Sequence, residues 1–318
     1  MKNTATRSIL TVSASLVILC GTPAVVFNQQ ISDPNFNTNV ARPAYTKKHP
    51  KVLFDEAHFN FHTAGGRYKA FADLIAHDGY QITPNKRKFS KDSLKGYDIL
   101  VIANALGAEA VDDPKAANPA FTDEECDAVR DWVRDGARLL LITDHQPTGA
   151  AAENLAKRFG VEMSNSTVMD TSESNHLKGY YEVNLEFRRD NQLLIEHPIT
   201  QGRDRTERVN RVVTFGGQSL KGPAESTGFL KLGGTAIDIL PSKQKVSAAG
   251  RFQAIAMKFG RGRVVVTGEA GMLSAQLVAA EEGGTPTSPW GMNFPGVDNR
   301  QLALNIMHWL SGLLKQAT

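Results

Sequence analysis

Cysteine is nearly absent from this chain: its 318 residues hold two, Cys20 and Cys126. Cys20 lies in a segment that reads as a leader. The remainder then keeps one thiol and can close no internal disulfide, so stability has to come from a buried core. Cys126 sits in the helical pattern "FTDEECDAVRDWV", where a half-buried helix residue is the expected role. A strong charge of one sign is also missing. Removing residues 1–24 takes away Lys2 and Arg7 and no acid, so 36 basic against 33 acidic residues becomes 34 against 33. Nothing in that balance points to nucleic acid or to an anionic membrane surface. Several catalytic signatures are absent too. There is no G-x-x-x-x-G-K-[ST], so "DEAH" (Asp55–His58) is no helicase motif. There is no G-x-S-x-G elbow, no H-E-x-x-H and no Cys-rich metal spacing.

What is present begins with Lys2 and Arg7 before "ILTVSASLVILC" and "GTPA", a basic, apolar and small-residue succession typical of a secretory signal over residues 1–24. Cleavage after Ala24 and retention as a membrane anchor both stay open, since the apolar run reaches Phe27. Either way the expectation is an exported, periplasmic or extracytoplasmic protein. Residues 25–49, rich in Asn, Pro and Thr without periodicity, are expected to be a linker or loosely packed arm.

From residue 50 to 318, strand and helix signals alternate. "KVLFD", "YQITP", "DILVIANAL" and "ARLLLITDH" are strand-like, and the last two are continuous apolar runs of the kind buried on both faces of a parallel sheet. Between them lie an amphipathic helix around Tyr68, Phe71, Leu74 and Ile75, a short helix capped by Ser90, and a helix with a Thr122/Glu125 capping box and a Gly136 stop. "TGAAAENLAKRFG" is another helix. Residues 162–241 are irregular and are expected to be an insertion or sheet extension. Their Arg203–Arg211 run, interleaved with Asp204 and Glu207, predicts a salt-bridged surface. "GRGR" (Gly260–Arg263) reads as a hairpin turn. The chain closes on a helix with Leu302, Ile306, Trp309, Leu310 and Leu313 on one stripe and Asp298 or Asn299 as cap.

The order "KVLFDEAH", "YDILVIANAL", "FTDEECDAVRDWVRDGARLLLITDH", "GRGRVVVTGEAGML", "DNRQLALNIMHWL" resembles the class I glutamine-amidotransferase-like superfamily, and within it the DUF4350 and GldG/intraflagellar-transport-type branch. The likeness covers roughly residues 50–160 and 250–315. It implies an α/β, flavodoxin-like three-layer sandwich with a mostly parallel sheet, and relatives that have lost amidotransferase chemistry and serve as ligand-binding or scaffolding domains. Gly-x-Cys-x-Gly and a later His-x-Glu are missing here, so thiolate glutamine hydrolysis is not expected.

Open α/β sheets bind ligands beyond the carboxyl ends of their strands. Those ends carry Asp55, Glu56 and His58, then Asn104, then Asp144 and His145, then Glu269. The leading expectation is a non-catalytic site for a polar small molecule, a glycan or another envelope component. His58 and Asn104 would bind it, and Trp290 and Phe294 in the Gly/Pro-rich loop 281–299 would stack on it. The alternative is a hydrolase with Asp55, Asp144, His145 and Glu269 as catalytic groups. A divalent metal held by these residues and His58 is a further option, as is a His58/His62 pair if that segment is helical. A structural partner in an envelope complex is a third class. Each residue also has a plainer role: an Asp after a strand caps a helix, and Glu269 would cap "GMLSAQL".

Overall fold

A computed structural model of the chain describes residues 30–279 and 285–314. The leader expected over residues 1–24 lies outside the described residues. Among those described, no helix is long and apolar enough to cross a membrane.

Five strands form the parallel part of the main sheet: β1 (Lys51–Asp55), β2 (Gln81–Asn85), β3 (Ile99–Ala103), β4 (Arg138–Ile142) and, after an antiparallel strand β5 (Phe252–Phe259), β6 (Gly262–Thr267). Their spatial order is β2-β1-β3-β4-β6, all parallel, with β5 continuing the sheet antiparallel to β6. This is the 2-1-3-4-5 order of flavodoxin-like folds. Alternation along the strands sorts side chains to two cores. Val101, Leu140 and Val265 face α1 (Lys69–His77) and α4 (Asn299–Leu310), while Leu100, Leu139, Leu141 and Val264 face α2 (Asp123–Arg134) and α3 (Thr148–Lys157). Continuous apolar strands are therefore required, because both faces are dry. The result is the expected three-layer α/β sandwich.

Residues 162–241 both extend the sheet and depart from it. Leu220–Lys221 and Glu162–Met163 lengthen its edge beyond β5, and Thr227–Lys231 also pairs with β5. Thr167–Asp170, Ala236–Ile239 and Lys245–Ser247 make a separate small sheet. The arginine-rich run is salt-bridged as expected, with Arg203 on Glu207, Arg208 on Glu196 and Arg211 on Glu186. "GRGR" turns the β5–β6 hairpin.

Two expectations need correction. Residues 30–49 are not a loose linker. Gln30–Ser32 pairs with Ala275–Val278, Ala44 N–H donates to Asp78 Oδ1 (2.8 Å), Arg42 pairs with Asp204 and Glu207, and Tyr45 packs edge-on to Tyr80. Specific polar contacts, invisible to composition, hold this strap down. The closing helix is not a single stripe either. Ala303, Asn305, Met307 and His308 are buried along with Leu302, Ile306, Trp309 and Leu310, whereas Leu313 lies past its end and is 38% exposed. Asp298 stands at the N-cap position, but its carboxylate accepts from Asn210 and Arg211 N–H instead.

Asn299 fastens α4 to the site-bearing end of the molecule. Its amide donates to Val213 and Met272 carbonyls (2.8 and 3.2 Å) and accepts from Val213 N–H (3.1 Å), fully buried. Asn299→Leu strands three buried backbone groups and is expected to cost about 3 kcal/mol in urea denaturation. Leu313→Ala is expected to cost under about 0.5 kcal/mol, the usual ceiling for an exposed position.

Candidate functional site

The register of β4 on β6 pairs Ile142 with Thr267. Asp144 and Glu269 are each two residues beyond that rung, so adjacent strands deliver two carboxylates to the same place. Thr143 N–H donates to Thr267 O (2.9 Å), carrying the pairing one step further. Asn104 follows β3 immediately and donates its N–H to Ile142 O (3.0 Å) at a φ of +48°, a left-handed conformation that Asn tolerates better than most residues. These three ends, with loops above them, enclose a cavity of about 300 Å³ whose wall includes Asn104, Asp144, His145, Glu269, Gln276, Phe215 and Trp290.

Asp144 is not a helix cap. The N-cap of α3 is Pro147, without a side-chain bond. Asp144 instead accepts His145 N–H at Oδ1 (2.7 Å) and Ala270 N–H at Oδ2 (3.2 Å). Thr148 closes the turn, its hydroxyl accepting Asp144 N–H and donating to His145 O. Glu269, 1% exposed, both lines the cavity and caps the short turn Gly271–Leu273, accepting Gly271 and Met272 N–H (2.6 and 2.7 Å). Burial pushes the Glu269 carboxyl well above the usual range, and the Asp144 charge adds to this against the backbone donors. Burial also raises Asp144, opposed by His145 and by the backbone N–H groups of His145 and Ala270. Both carboxyls are thus held above the ordinary carboxylate range, Glu269 with the added effect of the Asp144 charge. His145 Nδ1 lies 2.7 Å from the Gln146 carbonyl, which can only accept. Nδ1 therefore carries a proton, and Nε2 lies 3.7 Å from Asp144 Oδ1.

Gln218, fully buried, ties the wall together. Its amide donates to Asp144 O (2.8 Å) and Thr143 Oγ1 (3.2 Å) and accepts from Asn165 N–H (2.9 Å). Gly149 in the first turn of α3 leaves it room: a Cβ there would lie 2.2 Å from Gln218 Nε2. Gln276 has one possible amide orientation. Ser274 Oγ donates to Gly271 O, so it accepts from Gln276 Nε2 (2.7 Å), and Gln276 Oε1 is left buried with no protein partner. Asn104 Oδ1 and His62 Nδ1 share that condition. Three buried polar atoms without a protein partner thus belong to residues of one cavity wall.

His62 comes from the loop after β1. This segment is irregular, so His58 and His62 share no helix face. His62 stacks on Tyr68 (4.7 Å between centroids), and burial, with Arg67 nearby, pushes its pKa down to about 3, keeping it neutral. Tyr68 OH donates to Ala270 O (2.6 Å) and braces the Glu269 turn. The loop 281–299 is partly a strand, Ser288–Gly291, paired with Ala275–Val278. Trp290 stacks on Phe215 (5.1 Å, 20°) in the wall. Phe294 is not in the wall; it packs edge-on behind Phe215 (5.6 Å).

Asp55 and His58 are the main correction: they do not join this cavity. Asp55 shares the face of Leu53, toward α2, and there His58 is clamped between two carboxylates. His58 Nδ1 donates to Asp55 (2.8 Å) and Nε2 to Glu125 (2.8 Å), between the rings of Phe89 and Phe121. Asn85 also donates to Asp55 (3.1 Å). Burial pulls the His58 pKa down, but Asp55 and Glu125 outweigh it and the net shift is upward. Burial alone would raise Glu125; the donors Thr122, His58 and Phe89 bring it below its ordinary value. This closed unit pins β1 to α2. Among the described residues no group of three or more His, Cys, Asp or Glu is arranged to hold a metal ion, so the metal option has no cradle there. Sequence reading missed Gln218, Gln276, Phe215 and Tyr68. Only the buried-strand pattern around Phe215 and the helix-face position of Tyr68 were visible, and neither marks a cavity.

His58→Leu is expected to lower stability by about 3 kcal/mol, as for other broken buried ion pairs. The raised His58 pKa contributes stability that is fully present below about pH 6.5 and is lost as pH rises through the folded value. The lowered Glu125 contributes stability present above about pH 4.3 and lost as pH falls through its folded value. Denaturation across pH should therefore show the largest wild-type advantage between those limits.

No family model matches the chain, and no curated protein matches it. Among solved structures, the mmIFT52 N-terminal domain is similar over 82% of this chain and 97% of its own, with 13% identity and a TM-score of 0.58. A ThuA-like protein from Bacteroides uniformis covers 84% of this chain and 94% of its own at 14% identity and TM-score 0.40. A GMP synthase protein from Thermoplasma acidophilum covers 84% and 97% at 11% identity and TM-score 0.42. The first is a likeness of fold alone, and it agrees with the strand order: the chain has a flavodoxin-like α/β fold built on a large, mostly parallel sheet.

Proposed function

We propose that this chain is an exported cell-envelope protein of the DUF4350/GldG-like type, and that its cavity binds a neutral, hydroxyl-rich ligand of the carbohydrate class without transforming it. The observation that carries the reading is the composition of the cavity wall. It combines a largely apolar lining with a few acceptors: the Asp144 carboxyl and the unpartnered Asn104 and Gln276 oxygens. Sugar hydroxyls are donors that satisfy such groups, and the stacked Phe215–Trp290 pair offers an apolar face for ring C–H groups. A cation is the poorer fit, because among the described residues no group of three or more His, Cys, Asp or Glu is arranged to hold a metal ion. Export rests on the leader pattern of residues 1–24, which also leaves a membrane tether open. Nucleic acid is not part of the reading, given the near-neutral balance. A scaffold role has less support: the exposed large hydrophobics Ile31, Phe59, Tyr180, Tyr181 and Leu313 come from four separate segments.

One observation favours a second reading, hydrolysis. The two carboxyls differ in environment, with Glu269 almost fully buried and Asp144 partly exposed beside the His145 ring (3.7 Å), as a division of general-acid and base roles requires.

Calorimetric titration with defined glycan fragments separates these readings. Binding without release of reducing ends is expected, weakened at least tenfold by Trp290→Ala, consistent with loss of about 1.4 kcal/mol or more of stacking. Steady release of reducing ends, abolished by Asp144→Asn, would favour hydrolysis, and no glycan binding would remove the carbohydrate assignment. The buried acid has its own signature. A carboxyl with a raised folded pKa gives stability that is fully present below its unfolded value of about 4.3 and lost as pH rises through the folded value. Melting curves should show wild type losing stability relative to Glu269→Gln as pH rises above that point.

A further inference from the structure

The cavity has a neighbour. A second hollow of about 400 Å³ is lined by Asn165, Ser166, Ile239, Leu240 and Pro241 and shares Val111, His145, Gln146, Pro147 and Thr167 with the first. We infer that the two form one bipartite cleft for an extended ligand of at least two joined sugar units, with the linkage crossing the His145–Pro147 ridge. This rests on the carbohydrate reading of the first cavity and deepens it.

The second wall is built as firmly as the first. Asp238, 2% exposed, accepts from both Ser166 Oγ and Ser219 Oγ (2.6 Å each), which locks the strand Ala236–Ile239 against the segment 164–166. At the end of that strand and just past it, Ile239, Leu240 and Pro241 give an apolar surface, the counterpart of Phe215 and Trp290. Asn165 is held at a φ of +53°, and its Oδ1 is another buried acceptor without a protein partner. The two subsites also share one rigid element. Gln218 accepts Asn165 N–H and donates to Asp144 O, so a single buried amide sets the spacing between Asn165 in the second lobe and Asp144 in the first. Each lobe thus pairs an unsatisfied acceptor with an apolar surface. That repeat suits a ligand that itself repeats a unit with hydroxyl edges and apolar faces. His145, in the wall of both, places its imidazole at the junction.

The test is a glycan array of mono- through hexasaccharides, followed by calorimetry of the best oligosaccharide and of its constituent monosaccharide. The oligosaccharide is expected to bind at least tenfold tighter. Ile239→Trp, which fills the second lobe, should reduce its affinity to that of the monosaccharide and leave monosaccharide binding unchanged. Circular dichroism checks that this variant folds; if it does not, Asn165→Ala at a half-exposed position carries the same comparison. Equal affinity for the two sugars, or an oligosaccharide affinity indifferent to both substitutions, overturns the second subsite and leaves the first standing. An array on which nothing binds overturns the carbohydrate reading and this inference with it.

Discussion

The site depends on one register. Because β4 and β6 run parallel with Ile142 opposite Thr267, the chain emerges from both strands in step, and two residues later both place a carboxylate. Neither strand alone creates anything unusual. Together they force Asp144 and Glu269 into a shared, poorly hydrated space, where two full charges are costly. The surrounding structure answers that constraint. Backbone N–H groups from Ala270, Gly271 and Met272 and a buried Gln218 hold the turns in place. Desolvation raises the pKa of both acids. A one-rung slip would send the two groups to different environments and leave an ordinary sheet end.

The cavity lies over β3, β4 and β6, whereas the reversal of strand order falls between β1 and β3. Flavodoxin-like sheets bind ligands at that reversal. Here the loop after β1 folds back over it. Phe61 N–H donates to Asn104 O and Leu106 N–H to His58 O, so the crevice is filled by the chain itself. His58, clamped between Asp55 and Glu125, anchors that loop, and His62 at its far side becomes part of the displaced cavity wall. Two histidines four residues apart thus differ completely. One has both ring nitrogens engaged by carboxylates; the other is neutral with a bare nitrogen. Stabilising the loop and shaping the cleft are divided between them.

The layers were legible in the sequence because they follow from local rules. Unbroken apolar strands, the Thr122/Glu125 box, the Ser90 cap and the GRGR turn each state their structure within a few residues. Asn104, Asp144, His145 and Glu269 were legible as strand-end residues of one site. Asp55 was misplaced because a strand-end position does not say which face a side chain takes. Alternation puts Asp55 with Leu53, toward α2, and Glu125 waits there from a distant helix. Gln218 and Gln276 were not legible, since an amide's role depends on which backbone groups come within 3 Å of it. Nor was the strap of residues 30–49, whose composition resembles a linker while its bonds reach partners far along the chain, such as Asp78 and Glu207.

The sequence by itself determined the alternation of strands and helices, the dryness of both sheet faces, and the polar character of the strand ends. Hydrophobic period, capping and turn chemistry act over a few residues and leave their mark in order. Tertiary structure alone decided which ends meet. Strand register, the face taken by each side chain and the path of the β1 loop join residues far apart in sequence, 67 positions for His58 and Glu125 and 126 for Asp144 and Ala270, and no local pattern encodes such a pairing. It separated Asp55 and His58 into a structural clamp and left Asp144 and Glu269 facing a cavity whose walls carry bare acceptors.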